Sequence, residues 1–173
     1  MNPTSDLLSP IGRFEWPTPI TPDNRREWIN ALAALPGQLR TAVASLTPAQ
    51  LATPYRPGGW TLRQTIHHVA DSHMNSYIRF RLALTEDAPV IKPYDEVRWA
   101  ELPDAANAEV DISIVLLSAL HLRWVLLLES LTEEQWQRTF VHPDHGPRRL
   151  DETLALYAWH GAHHVAHITS ATS

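Results

Sequence analysis

The chain has 173 residues, enough for one domain that buries its own core without disulfides or a structural metal. Its 14 Lys and Arg against 19 Asp and Glu give a formal charge of −5, and the basic residues are scattered rather than gathered into a stripe, which excludes a nucleic-acid partner. With no cysteine there is neither a thiolate nucleophile nor a Cys-ligated zinc, so histidine and carboxylate must carry the chemistry.

Five prolines (Pro3, Pro10, Pro17, Pro19 and Pro22) predict an extended arm over residues 1–22, followed by one domain, 23–173. The arm lacks the charged-then-apolar order of a leader, and no apolar run approaches the roughly 20 residues that span a bilayer, so a soluble cytoplasmic protein with no membrane partner is expected. Asp23 is read as the cap of a first helix, whose Trp28, Leu32, Leu35, Leu39, Val43 and Leu46 recur every three or four residues, with Pro36 expected to bend it. After the loop "TPAQLATPYRPGGW", Thr61 caps a second helix with Leu62, Ile66, Val69, His73, Tyr77, Phe80 and Leu84 on one stripe. Residues 86–107 hold three prolines and no sustained period, and read as a long crossover loop. A leucine-rich helix follows from Val110 to Leu131, then a short one opened by the Thr132 to Gln135 capping box. "FVHPDHGPRRL" reads as a turn or short hairpin, and Asp151 as the cap of a last helix to about Thr169. No segment alternates long enough for an extended sheet. The prediction is an all-α four-helix bundle with one long crossover and an extended N-terminal arm, a fold that builds metal sites from facing helices.

The last helix carries "YAWHGAHHVAHI", four histidines in eight positions. At about 100° per residue, His160 and His164 fall nearest the apolar stripe of Leu154, Tyr157, Val165 and Ile168, with His163 and His167 nearer solvent. A His-x-x-x-His pair lets two imidazoles on successive turns reach one ion, but two ligands alone hold a metal poorly. A third must come from another helix, and "QTIHHVADSHM" offers His67, His68 and His73. His73 sits on the apolar stripe, where a hydrogen-bonded core role is the simpler reading. His67 and His68 lie on the polar flank, and angular position leaves both open, with a slight preference for His68 beside Gln64, Ser72 and Arg79.

The stretches "PYRPGGWTLRQTIHHVADSHMNSYIRFRLALTED", "IKPYDEVRWAELPD", "LHLRWVLLLESL", "FVHPDHG" and "LYAWHGAHHVAHI" together resemble the YfiT-type metal-dependent hydrolases of the DinB-like superfamily, from Pro10 to Ile168. The resemblance implies a four-helix bundle, a homodimer, and one divalent metal per chain, zinc with nickel able to replace it. It assigns the ligands to His68, the histidine before "VAD", and to His160 and His164. It implies hydrolysis through a metal-activated water. It equally suggests an alternative, a metal-dependent S-transferase acting on a low-molecular-weight thiol such as bacillithiol.

Three histidines leave zinc one open position, where a bound water has its pKa lowered to about 7 or a substrate thiolate can bind. Gly161 follows His160, so the glutamate of an HExxH metalloprotease is missing. Arg79, on the line of His68, is a candidate to hold the carboxylate or phosphate of a small-molecule substrate, against the commoner role of pairing a bundle acid. His121 is a candidate substrate contact or partner of a ligand, against a structural hydrogen bond. A non-catalytic metal-binding dimer remains a further reading, and a fourth ligand such as His163 or His167 would mark it.

Overall fold

The structure is a computed structural model that describes residues 8–171, so the first seven residues of the predicted arm lie outside it. Four long helices make the body: α1 (Pro22–Val43), α3 (Leu62–Thr85), α6 (Val110–Glu129) and α8 (Leu150–Ser170). Short helices α2 (Pro48–Leu51), α4 (Glu96–Ala100), α5 (Pro103–Asn107) and α7 (Glu133–Trp136) fill the connections, and strands β1 (Thr139–His142) and β2 (Gly146–Arg149) pair antiparallel before α8.

Capping residues set the helix starts. Thr21, not Asp23, caps α1: its hydroxyl accepts from the Asn24 amide while the Asn24 side chain takes the Thr21 amide, and Pro22 occupies the first turn, where no donor is needed. The helix then continues through Pro36. Thr61 with Gln64 and Thr132 with Gln135 make capping boxes of the same form at α3 and α7. Asp151 does not cap α8 from outside but lies in its first turn, where its buried carboxylate receives Arg149 Nε at 2.9 Å and Nη2 at 3.1 Å. The crossover is not structureless: α4, capped by Asp95, and α5, opened by Pro103, are single turns too short to show a period in sequence.

Helix α1 packs extensively on α6 and α8, and α3 packs on the same two, so α1 and α3 stand on one diagonal and α6 and α8 on the other. Two of the three links between successive long helices therefore cross the bundle diagonally. The core is split in two along its length. One cluster holds Leu35, Leu39, Ile66, Val69, Ile114 and Leu117; the other holds Leu32, Phe80, Trp124, Leu128, Leu150 and Leu154. Each fully buried side chain of this kind contributes about 1.5–3 kcal/mol. On α3, α6 and α8 the histidines between the two clusters are His73, His121, His163, His164 and His167, all buried, and half-buried His160, a polar layer across the middle of the bundle.

One expectation from composition needs amending. Helix α6, at 20 residues and a mean hydropathy of 1.8 over its most apolar window, is by length and composition alone apolar enough to cross a membrane. Its buried residues Ile114, Leu117, His121, Trp124 and Leu128 face the bundle, while most of its other side chains are exposed or half-buried.

Candidate metal centre

Helices α3 and α8 are neighbours, and the polar layer puts their histidines face to face. His68, His160 and His164 each offer a ring nitrogen within 4.8 Å of the others. His68 Nε2 lies 3.3 Å from His160 Nε2. Two nitrogens bound tetrahedrally to one zinc at about 2.0–2.1 Å would stand about 3.3 Å apart, so the donor set fits a divalent ion of that size. Burial keeps these imidazoles neutral, the form a ligand needs: that of His68 is pushed down to about 4. Those of His160 and His164 lie well below the usual range, by burial first and then by repulsion from neighbouring histidines, led by His73 for His160 and by His160 for His164. Gly161 lets α8 approach α1 here, since a Cβ at that position would sit 2.6 Å from Leu35 Cδ2.

His67 is turned away. Its Nδ1 pairs with Ser113 Oγ at 2.7 Å and its Nε2 with the Ala108 carbonyl at 3.2 Å, which ties α3 to the end of the crossover. Of the two flanking histidines, the geometry thus brings only His68 to the trio. His163 and His167 are not near solvent as angle alone suggested; they are 8% and 4% exposed, His163 stacked on Trp159 and His167 packed at a tilt on Tyr55. Trp159 covers His163 from the preceding turn of the same helix, and Tyr55 covers His167 from the loop before α3.

His68 and His160 open on a cavity of about 600 Å³. Its walls include Trp16, Trp60, Phe140, Leu156 and Tyr157, and Arg79, His142, His145 and Arg148 line it as well. Arg79 has no acid partner: among the described residues neither it nor Arg148 makes an ion pair with a carboxylate. The group is self-repelling. His142 is lowered by burial first, then by His145, Arg79 and Arg148, with Asp144 opposing them. Tyr94, on the same wall, is held protonated by burial despite a side-chain bond with Ser72. His121 does not line this cavity; it is buried, with Nδ1 2.6 Å from the Leu32 carbonyl and Nε2 3.0 Å from His73 Nδ1.

Sequence reasoning missed Trp16, Tyr94 and the hairpin cations. Trp16 comes from the arm, where it lies under the Arg148 guanidinium at 4.8 Å. The hairpin did carry a readable signal, two histidines and two arginines within "VHPDHGPRR".

Comparison with known proteins agrees with this fold. The family description of the DinB superfamily matches residues 31–168. A Bacillus cereus relative named "Putative metal-dependent hydrolase" is 56% identical over 166 residues, covering 96% of this chain and 95% of its own. A Bacillus thuringiensis relative with the same description is 55% identical over the same length and the same shares of both chains. Among solved structures, YfiT from Bacillus subtilis, described as "a probable metal-dependent hydrolase with an unusual four-helix bundle topology", superposes with a TM-score of 0.94 at 49% identity, covering 96% of each chain. A second four-helix bundle protein is 25% identical, with a TM-score of 0.57 over 82% of this chain and 94% of its own. The chain is a member of the DinB superfamily.

Proposed function

We propose that this protein is a metal-dependent hydrolase that holds one divalent ion per chain, zinc with nickel able to replace it, on His68, His160 and His164, and acts as a homodimer on a small anionic substrate. The observation that carries the reading is the convergence of three neutral imidazoles within 4.8 Å, two of which, His68 and His160, line a cavity. The names of the relatives support the reaction class. An ion held there supplies Lewis acidity and lowers the pKa of its water to about 7.

The chain's own residues do the rest. Unpaired Arg79 and Arg148, with His142 and His145 beside them, favour a carboxylate or phosphate at one wall of the cavity. Trp60 and Tyr157 present apolar surface to the body of the substrate and exclude water. The protonated Tyr94 hydroxyl is available to donate to an oxygen that gains charge during the reaction.

Metal analysis of purified protein should find one ion per chain, and His68→Ala, His160→Ala and His164→Ala should each abolish tight binding, with His67→Ala as the unaffected control. The zinc-loaded enzyme should then hydrolyse activated esters without added thiol, prefer anionic esters to neutral ones, and lose that preference, at least about tenfold in KM, in Arg79→Gln. Full metal retention in His160→Ala would remove the site. Turnover that occurs only with a thiol and yields an S-conjugate would replace hydrolysis by S-transfer.

A further inference from the structure

One line of contacts runs from the candidate centre across the whole bundle. His160 Nδ1 lies 3.2 Å from His73 Nε2, His73 Nδ1 lies 3.0 Å from His121 Nε2, and His121 Nδ1 lies 2.6 Å from the Leu32 carbonyl oxygen. Each of the four long helices contributes one member: α8, α3, α6 and α1. His73 and His121 are 0% and 2% exposed, and neither ring lines the cavity.

The direction of this line is fixed at its far end. A carbonyl oxygen only accepts, so His121 Nδ1 carries the proton. In a neutral imidazole the other nitrogen is then an acceptor, so His121 Nε2 must receive a proton from His73 Nδ1. The same step leaves His73 Nε2 as an acceptor for a proton on His160 Nδ1. Three protons satisfy three hydrogen bonds, one per ring, and the bare lone pair left over is that of His160 Nε2, the atom 3.3 Å from His68 Nε2. Because the line ends in a carbonyl, it has no outlet for a proton. It is a lock on a tautomer rather than a proton wire.

We infer that His73 and His121 are positioning residues, which hold His160 as its Nδ1–H tautomer with Nε2 aimed at the point shared with His68 and His164. Packing fixes the rings as well as the protons: Tyr157 and Trp124 meet His73 edge-on, at centroid distances of 5.1 Å and 6.1 Å. His164 Nδ1, by contrast, lies 3.5 Å from His167 Nδ1, at the limit of a hydrogen bond. His160 is therefore the anchored member of the trio, and partners of this kind are worth about 10–100-fold in metal affinity where ligands have been tested. The affinity half of this inference rests on His160 being a ligand, and the tautomer half does not.

The test uses the full chain labelled with 15N-histidine. Long-range 1H–15N correlation on the metal-free protein should show His160, His73 and His121 all protonated on Nδ1, before and after zinc is added. His73→Leu should release His160 to an Nε2–H or mixed tautomer and weaken zinc, measured by competition with a chelator, about 10–100-fold. His73→Gln should restore both, because its amide oxygen can accept from His160 Nδ1 while its amide nitrogen donates to His121 Nε2. A proton on His160 Nε2 in the metal-free wild type overturns the inference, as does zinc affinity equal to wild type in His73→Leu. If His73→Leu does not fold, the wild-type tautomers and the Gln variant still decide. A wild type that shows the Nδ1–H pattern but takes up no zinc would keep the lock and remove the metal reading.

Discussion

Gly161 and Gly37 are both helical glycines, and they make opposite demands. A Cβ on Gly161 would meet Leu35 Cδ2 at 2.6 Å and Cδ1 at 3.1 Å, and Leu35 is 2% exposed in a filled core, so its branch has nowhere to swing. Overpacking of that sort costs about 1–3 kcal/mol, which outweighs the roughly 1 kcal/mol that alanine gains over glycine inside a helix. A Cβ on Gly37 meets nothing within 4 Å, so only the gain remains there. Urea unfolding should therefore show Gly161→Ala less stable than wild type by about 1 kcal/mol and Gly37→Ala more stable by a similar amount. Equal effects of the two would mean that α1 and α8 do not approach as described. The same closeness explains why a glycine follows His160, where an HExxH enzyme carries its glutamate: a side chain at 161 would run into Leu35 of α1.

At the scale of elements, α3, α6 and α8 place six depressed histidines in one layer: His68, His73, His121, His160, His163 and His164. Burial is the first cause in each, and His68, His121 and His163 come down to about 4. In the unfolded chain the same groups titrate near 6.5. As pH falls from 6.5 toward 4 the unfolded state therefore takes up protons that the native state refuses, and stability drops by at most about 1.4 kcal/mol per pH unit for each histidine. Asp71 works the other way. Burial, and then Asp104, raise its carboxyl to about 6, so the native state keeps a proton that the unfolded state has lost over part of the same window. Six histidines outweigh one aspartate. Metal-free protein should lose most of its urea resistance between pH 6.5 and 5, and zinc should move that loss to lower pH; resistance that stays flat over this window would contradict the neutral layer. Much of this layer was legible. His68, His160 and His164 follow from spacing and family resemblance, and Thr61 and Thr132 fix helix starts through local bonds that sequence displays. The partnership of His73 with His121 was not legible, because it joins side chains 48 positions apart on helices whose adjacency no local rule gives. The same holds for Trp16 and for the diagonal arrangement of the bundle, which are set by tertiary packing. Asp23 and Asp151 misled because an acidic residue in a first turn looks, in sequence, like a cap one step earlier.

For the whole molecule, the unsolved surface is the outer face of α6. Ile112, Val115, Leu122 and Leu126 are 63%, 60%, 72% and 69% exposed, and with Leu116 at 44% they form a stripe at helical spacing along the full helix. A contiguous apolar stripe of this length marks a contact rather than scattered exposure. The apolar residues Ile78 and Leu82 of α3 are less demanding, since they share a cavity wall with Ile91 and Trp99 of the crossover. The homodimer proposed above is therefore best built on α6, where one stripe can meet its own copy across a two-fold axis and cover both at once. Light scattering at micromolar concentration should give twice the 19.6 kDa chain mass. Leu122→Lys combined with Leu126→Lys should return the chain mass while leaving zinc content unchanged, because both side chains are largely exposed and neither residue is a proposed ligand. The alternative occupant is a lipid surface, given the length and hydropathy of α6. A wild type that is monomeric in solution and sediments with phospholipid vesicles, and a double variant that does not, would assign the stripe to a membrane and end the dimer.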